Sequence, residues 1–473
     1  IPLPNLETKF VTANTLIGIN RPTGQLSLSN TDELKKLHEE LRVCRHKIFS
    51  AKTKKTKQKY SQLDKEKRLA IANELKENGW NNTDADNLAG WDPYNQNTSS
   101  PFFDPEWMFG LQRENGGLNS AQSGAGFFDI VIGNPPYGAT LKDEEKKIYK
   151  EKYITTKSIR GVQKGSMDSY TIFIELGYNI LSANGNLSYI VPISVTSSDA
   201  LSGVHRLLES NCKEIRVSSY AVRPQPVFEN AVVNTSILSF IKTNTPNEVI
   251  FSTKMYRKGK GFNLQSLINN LQFAEVKDLK LFGRIPKIGS EIEKSILTKI
   301  FRHYPISSYL DINGKNIYYR FAGGRYYKVI TNYPTNSSAE RALTLQKDKT
   351  NAIGCILSSS LSFWFYQIYS DNLNWKNYEI LSFTIPQLST NTINELEILY
   401  ELYLTDIENN ANIRTTSGRS SYNVSQFKEY KIGKSKHIID QIDDLICPLY
   451  GLTAEETDFI KNYELEFRIS EEN

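Results

Sequence analysis

Cysteine is scarce: only Cys44, Cys212, Cys355 and Cys447 occur in 473 residues, and no two form a CxxC pair. Neither a disulfide framework nor a zinc knuckle is indicated. The five histidines (His38, His46, His205, His303 and His437) show no HxH or HExxH spacing, so no His/Cys metal site is expected. Such usage fits a reducing, cytoplasmic setting. No apolar run approaches the roughly 18–20 residues that span a bilayer, so a membrane protein is not expected. The start, Ile1-Pro2-Leu3-Pro4, carries no initiator methionine and no basic-then-apolar leader, which reads as a fragment or a processed product.

What is present is ordinary globular material, with 39% hydrophobic and 23% charged residues. The length predicts two to four domains at roughly 100–200 residues each. Lys and Arg number 57 against 52 Asp and Glu, a net of +5 that hides an asymmetry. Residues 281–350 hold 12 basic and 5 acidic side chains (+7), whereas 371–473 hold 9 and 18 (−9). A basic, Tyr-rich stretch before an acidic tail is what a polyanion-binding surface leaves in sequence, although solvated faces leave it too.

The leucines between 31 and 79 recur near helical spacing, predicting a helix capped by Thr31 or Asp32 that breaks over 51–59, resumes, and stops at Gly79. Its lysine tip (Lys52, Lys54, Lys55, Lys57) reads more simply as solvated than as a phosphate contact. Residues 80–127 read as an ordered loop whose aromatics, among them Trp91, Phe102 and Trp107, must be packed. Alternation of strand and helix follows. Strands are predicted at 127–133, 187–193, 214–221 and 234–242, and helices at 169–181 and 198–210, spelling a doubly wound α/β sheet. The first strand is so continuously apolar that burial on both faces is expected. Beyond about 280 short aromatic β-runs (317–320, 326–329) and helices suggest a separate α+β domain, ending in a helix near 436–449.

The first strand runs directly into Asn134-Pro135-Pro136-Tyr137. In open α/β sheets ligands sit beyond the carboxyl ends of strands. Two prolines fix the backbone and remove two donors. What remains is a rigid corner offering two acceptors, the Asn134 side-chain oxygen and the Pro135 carbonyl, beside the flat ring of Tyr137. Such a corner suits a planar base with an exocyclic amine, whose lone pair is delocalised and whose nitrogen must gain positive charge on alkylation. A base inside a duplex reaches such a corner only by flipping. The same tetrapeptide could also be no more than a loop-forming corner.

The segment FDIVIGNPPYG resembles the catalytic motif of adenine-specific, amino-group DNA methyltransferases. LPNLETKFVTANTLIG, the WDP and FFDPEWMFG loop, SMDSYTIFIELGYNIL, VFENAVVNTSILSF and YYRFAGGRYYKV are similar to the fused restriction–modification (type IIG) branch. The resemblance implies transfer of a methyl group from S-adenosylmethionine to a flipped adenine in double-stranded DNA. It implies that Asn134 and Pro135 accept from the amine, that Pro136 stiffens the corner, and that Tyr137 and Phe228 hold the base. Asn14, Asp168 and Tyr170 fall where the family borders the cofactor; Arg320 and Arg325, bracketing the Ala322-Gly323-Gly324 turn, suit phosphate or guanine contacts by their own chemistry and, with Tyr326 and Lys328, are expected to meet DNA. Plainer readings stand beside these: Phe228 as core, Asp168 as a helix cap, Asn14 as a turn residue, the two arginines as brackets of a glycine turn.

The family's glycine-rich cofactor loop and the acidic residue that follows it are not found before Asn14. Ser123-Gly124-Ala125-Gly126 precedes its strand and is a decoy, and no PD…(D/E)xK nuclease set occurs. The expected layout is therefore a remnant of the cofactor half (1–30), a helical insertion (31–80), a catalytic region (81–245), a target-recognition domain (246–435) and a helical tail (436–473). The rival reading is a sequence-specific DNA-binding module without turnover; an enzyme acting on another amine, such as a glutamine side chain, is more distant.

Overall fold

The computed structural model describes residues 5–22, 28–95, 97–111, 126–229, 232–324, 326–415 and 426–468. The chain divides into two compact units, each assembled from several segments. The first comprises Ile1–Ile190, Ala200–Ile215 and Leu238–Glu248; the second comprises Val191–Asp199, Arg216–Ile237 and Val249–Asn473.

In the first unit α1 (Asp32–Phe49) and α2 (Lys54–Glu77) form the expected hairpin. Thr31 caps α1 by accepting from Leu34 N, and Thr53 does the same for α2 through Thr56 N. The break is shorter than expected, residues 50–53, because Thr53 restarts the helix within the lysine-rich stretch. Lys54 and Lys55 are exposed, and Lys57 pairs with Glu7. The segment expected to be loop contains two helices, α3 (Asn82–Gly90) and α4 (Pro105–Phe109). Asn81 and Asp104 cap them, and the Asx and Pro residues that read as turns are helix-start signals here. Trp91, Phe102 and Trp107 are buried with Leu34, Leu41, Ile71 and Leu75 in one core, as their composition required.

A charged hub crosses this core. Asp64, fully buried, accepts from Arg45 Nε at 3.0 Å and Arg68 Nε at 2.8 Å. The arginines in turn donate to the carbonyls of Trp107 (2.7 Å) and Ala89 (2.6 Å). Nearby, His38 packs edge-on to Trp107, ring centroids 5.9 Å apart, with Nδ1 2.5 Å from Ser29 Oγ. Burial, reinforced by the charge of Arg45, lowers its pKa from 6.5 to about 4. The unfolded chain therefore binds a proton that the folded chain refuses. Stability is full above about pH 6.5 and is lost as pH falls toward 4. Urea midpoints between about pH 7 and 4.5 should fall less for His38→Asn than for the parent chain; equal slopes would remove His38 as the cause.

The central sheet is mixed, with strand order β1-β2-β4-β3-β5-β6. These are β1 (Phe128–Gly133), β2 (Leu181–Pro192), β3 (Cys212–Tyr220), β4 (Thr235–Lys242), β5 (Val249–Tyr256) and β6 (Ala274–Glu275). β1 runs parallel to β2, pairing Val131 with Leu187 and Gly133 with Tyr189, while β6 runs antiparallel to β5. β5, beyond the boundary drawn at 245, belongs to this sheet. The helices are α5 (Asp143–Lys152), α6 (Ser169–Ile180), the single turn α7 (Ser194–Ser197) and α8 (Ser202–Asn211). α8 starts four residues later than expected, after the 3-10 turn Asp199–Leu201.

One expectation is overturned. β1 is not buried on both faces: Ile130 is 70% and Ile132 80% exposed. The strand ends the sheet order among the described residues, and both isoleucines stand largely exposed on one of its faces.

The remainder of the second unit is α+β. Leu310–Arg320 lies between Glu340–Leu345 and Ile330–Thr331 in an antiparallel three-stranded sheet. Residues 326–329, expected as strand, are irregular, and pairing begins only at Ile330. Helices Ser360–Tyr369 and Thr390–Asn409 are rich in aromatics, and beside them lies Thr350–Leu357; the helix expected near 436–449 is Lys436–Ile446, but it does not end the chain's helices, since Ala454–Asn462 and Leu465–Arg468 follow.

Candidate active site

β1 delivers the chain to the NPPY corner with Gly133 under the Tyr189 ring, whose Cε1 stands 3.4 Å from where a β-carbon would be. Tyr189 is buried, which raises its phenol to about 12. Past the strand Asn134 is exposed, Pro135 buried, Pro136 exposed and Tyr137 half-buried. The buried proline anchors the corner while Asn134 projects, its carboxamide hydrogen-bonded to no other described residue.

Two contacts from the start of α6 fix the turn. Ser169 Oγ donates to the Pro136 carbonyl at 2.6 Å, and Asp168 Oδ1 accepts from Gly138 N at 3.4 Å. Gly138 has φ +70, a left-handed conformation that favours glycine at this exit. Asp168 occupies the cap position of α6 yet makes no side-chain cap bond; its carboxylate faces the loop instead.

α6 itself is tightly seated. A β-carbon on Gly177 would meet Leu187 Cδ1 at 2.4 Å and Tyr189 Oη at 2.8 Å, so the helix touches β2 with no room for a side chain. The buried Glu175 accepts from Ile154 N (2.9 Å), Thr155 N (2.8 Å) and Thr155 Oγ1 (2.7 Å), tying α6 to the segment after α5. α5 closes the circle: Tyr149 and Tyr153 pack with Leu16, Ile172 and Leu176, and Tyr153 Oη donates to the Leu16 carbonyl at 2.9 Å. Burial raises both phenols, and an Asn14 side-chain hydrogen bond partly offsets this for Tyr149. Asn14 is also held through its backbone, N to Ser100 O, 2.8 Å.

Asn134 to Tyr137, Asn14 and Asp168 are thus linked within one unit through α5 and α6. Tyr170 lies beside them in sequence but is 1% exposed, packed in the interior. Phe228 belongs to the second unit, half-buried and edge-on to Tyr220 at 4.9 Å. Ser169, Glu175 and Tyr149 position the site and were not foreseen. A serine at a helix start is weak sequence evidence, and a glutamate in an apolar helix shows its purpose only when the amides it receives are known.

The expected DNA contacts diverge. Arg320 and Tyr326 line a cleft of about 690 Å³ with Gly323, Gly324, Asn374 and Lys431. Arg320 Nε donates to Ala322 O at 3.0 Å, and Arg257 lies over the Tyr326 ring at 5.6 Å. Lys328 is buried, its Nζ donating to Gly323 O at 2.8 Å and lying 4.2 Å from the Tyr366 ring centroid, so in this structure it braces the glycine turn. That burial lowers its pKa to about 7. Arg325 lies outside the described residues, as do Ser123, Gly124 and Ala125. Gly126 is described, and a β-carbon there would stand 2.0 Å from Leu181 O, so its glycine serves backbone packing. Among the described residues no group of three or more His, Cys, Asp or Glu is placed to hold a metal ion, and no helix is long and apolar enough to cross a membrane.

With this geometry in hand, comparison with known proteins is informative. Residues 16–228 match the Eco57I restriction-modification methylase family. The match takes in the corner, α5, α6 and Phe228. The chain is also 27% identical over 289 residues to the type II restriction enzyme and methyltransferase RM.Eco57I of Escherichia coli, covering 55% of this chain and 27% of that protein. The chain thus spans about a quarter of the curated relative it matches. Among solved structures, the type IIL restriction-modification enzyme MmeI in complex with DNA matches 72% of this chain and 56% of its own, at 10% identity and a TM-score of 0.42. The type IIG restriction endonuclease BpuSI matches 73% and 55%, at 9% identity and a TM-score of 0.29.

Proposed function

We propose that the chain is part of an adenine-specific DNA methyltransferase of the type IIG restriction–modification kind, acting on the exocyclic amine of a base flipped from duplex DNA. The observation that carries this reading is the contrast within one tetrapeptide. The Pro136 carbonyl is satisfied by α6, whereas Asn134 stands exposed on a fixed backbone, its carboxamide hydrogen-bonded to no other described residue. An acceptor held rigidly where positive charge develops lowers the barrier without reorganising. Asn134 Oδ1 and the Pro135 carbonyl take the two amine hydrogens, and Tyr137 stacks on the base. The sulfonium of S-adenosylmethionine supplies the methyl group. No general base is required before transfer, because the methylated amine is acidic enough to lose its proton afterwards.

Asn14 and Asp168 are the residues here that fit the edge of that cofactor, the first oriented by Tyr149 and the second by Gly138. No glycine-rich turn leads a strand into a helix among the described residues, so these two supply a partial site and no step is assigned to them. The deciding test is tritiated methyl transfer from S-adenosylmethionine to plasmid DNA by this chain. Counts in DNA support the methyltransferase reading; DNA bound without counts supports the binding-module reading.

The cleft holding Arg320 gives a separate expectation. Arg320→Ala should weaken duplex binding and lower the slope of log affinity against log salt by about 1, as loss of one phosphate contact does. Arg325→Ala is expected to act alike. Titrations at several salt concentrations decide it, and unchanged slopes in both variants would remove the pair from the interface.

A further inference from the structure

Between α5 and α6, residues 155–166 form a closed loop whose outer turn is used by neither packing nor the proposed chemistry. Ser166 N donates to Thr155 O at 3.0 Å and closes the loop at its base. Within it the buried Gln163 donates from Nε2 to the carbonyls of Ile154 (3.0 Å) and Lys157 (2.9 Å). Ile159 and Gln163 exchange backbone hydrogen bonds of 2.8 and 2.9 Å, which leaves Ile159, Arg160, Gly161 and Val162 as the tip. Glu175 ties the loop to α6 through Thr155, and Ser202 Oγ ties it to α8 by accepting from Lys164 N at 2.7 Å. A loop of this size, filled by its own side chains, is a compact unit of a kind that is frequently functional.

The tip faces solvent. Ile159 is 43% and Val162 51% exposed, and Arg160 between them is exposed as well. Among the described residues the Arg160 guanidinium has no hydrogen-bond or ion-pair partner. Residues 152–167 contain Lys152, Lys157, Arg160 and Lys164 and no Asp or Glu. Lys152 and Lys157 donate to the neutral carbonyls of Leu16 (3.1 Å) and Glu151 (3.2 Å). The carboxylates that bound this stretch are Glu151 on α5 and Asp168, and the latter faces the Gly138 amide. The loop is also continuous with the NPPY corner. Asp168 N donates to Ser166 Oγ at 3.2 Å, while Asp168 Oδ1 accepts from Gly138 N at 3.4 Å.

We propose that this tip rests on the DNA backbone beside the flipped base, with Arg160 on a phosphate and Ile159 and Val162 against the sugars. A base held at the corner remains attached to its phosphates, so an unpaired cation on a loop hydrogen-bonded to that corner meets phosphate. The planar guanidinium matches that group in geometry, and a tip already fixed by Gln163 loses little freedom on binding. This inference rests on the methyltransferase reading above.

Fluorescence anisotropy with a labelled mixed-sequence duplex at several salt concentrations, beside thermal unfolding, tests it in the full chain. Arg160→Gln should lower the slope of log affinity against log salt by about 1, the share of one phosphate contact, at an unchanged Tm. Arg160→Lys keeps the charge and should keep the slope. Ile159→Ser combined with Val162→Ser should bind several-fold more weakly at the parental slope, because no charge is removed. An unchanged slope for Arg160→Gln overturns the proposal, and so does unaltered affinity in the double variant. A fall in Tm for Arg160→Gln overturns it too, by making the arginine part of the fold. A sedimentation coefficient altered by Arg160→Gln without DNA, with duplex affinity unmoved, would reassign the tip to contact between copies of the chain. If Arg320→Ala lowers the slope and Arg160→Gln does not, this inference fails alone; a parent chain that binds no duplex overturns the DNA reading itself.

Discussion

Asn134→Ala is expected to reduce methyl transfer by at least about 100-fold, the usual effect of losing one preorganised group at a developing charge, with DNA affinity little changed. The side chain is exposed and does not support the corner, which Pro135, Ser169 and Asp168 hold without it. Its removal should therefore leave fold and binding intact and affect only the step in which the amine nitrogen becomes tetrahedral. Radiolabel incorporation measured beside anisotropy with the same duplex separates the two effects. Turnover retained by the variant would reduce the tetrapeptide to a loop-forming corner. Ser169→Ala offers a graded companion: losing one hydrogen bond to a backbone carbonyl should lower turnover less, since the prolines still restrict the turn.

The second large effect is on stability. Asp64→Ala should cost the first unit about 3–5 kcal/mol, because it leaves two buried guanidinium groups without their shared counter-ion. Among the described residues the carboxylate is shared by Arg45 Nε and Arg68 Nε, with Asp92 a more distant 3.9 Å from Arg68 Nη2, and those arginines also fasten the carbonyls of Trp107, Ala89 and Trp91. Loss therefore spreads from α1 and α2 to α3 and α4. Urea unfolding should show the early loss of a transition reported by tryptophan fluorescence, since Trp80, Trp91 and Trp107 all lie in this core. A midpoint within experimental error of the parent chain would mean that water reaches the arginines and that the hub is not sealed.

Much of this was legible in sequence where one pattern dictated one answer. Leucines at helical spacing announced α1 and α2, and an apolar run leading into Asn-Pro-Pro-Tyr announced β1, whereas the restart at Thr53 went unread. Failures arose where the same residues serve two purposes. Asn81 and Asp104 read as turn formers because asparagine and aspartate favour turns and helix starts for the same reason, a side chain that bonds nearby amides. Hydrophobicity also overstated the burial of β1: Ile130 and Ile132 are as apolar as any core pair, and composition does not say whether a second layer covers them. Lys328 shows the reverse, a cation that reads as surface but is folded inward onto a carbonyl and a ring.

The way the chain threads its two units limits how they can be recombined. It passes from one to the other at 190/191, 199/200, 215/216, 237/238 and 248/249, five crossings in under sixty residues. A protease nick inside that stretch leaves both units short of a segment; only at its ends, 190/191 or 248/249, does one unit keep all its residues. A chimera that borrowed another specificity by splicing at one junction would inherit the same deficit. From residue 249 on the path no longer returns, so segments exchanged there alter the second unit alone.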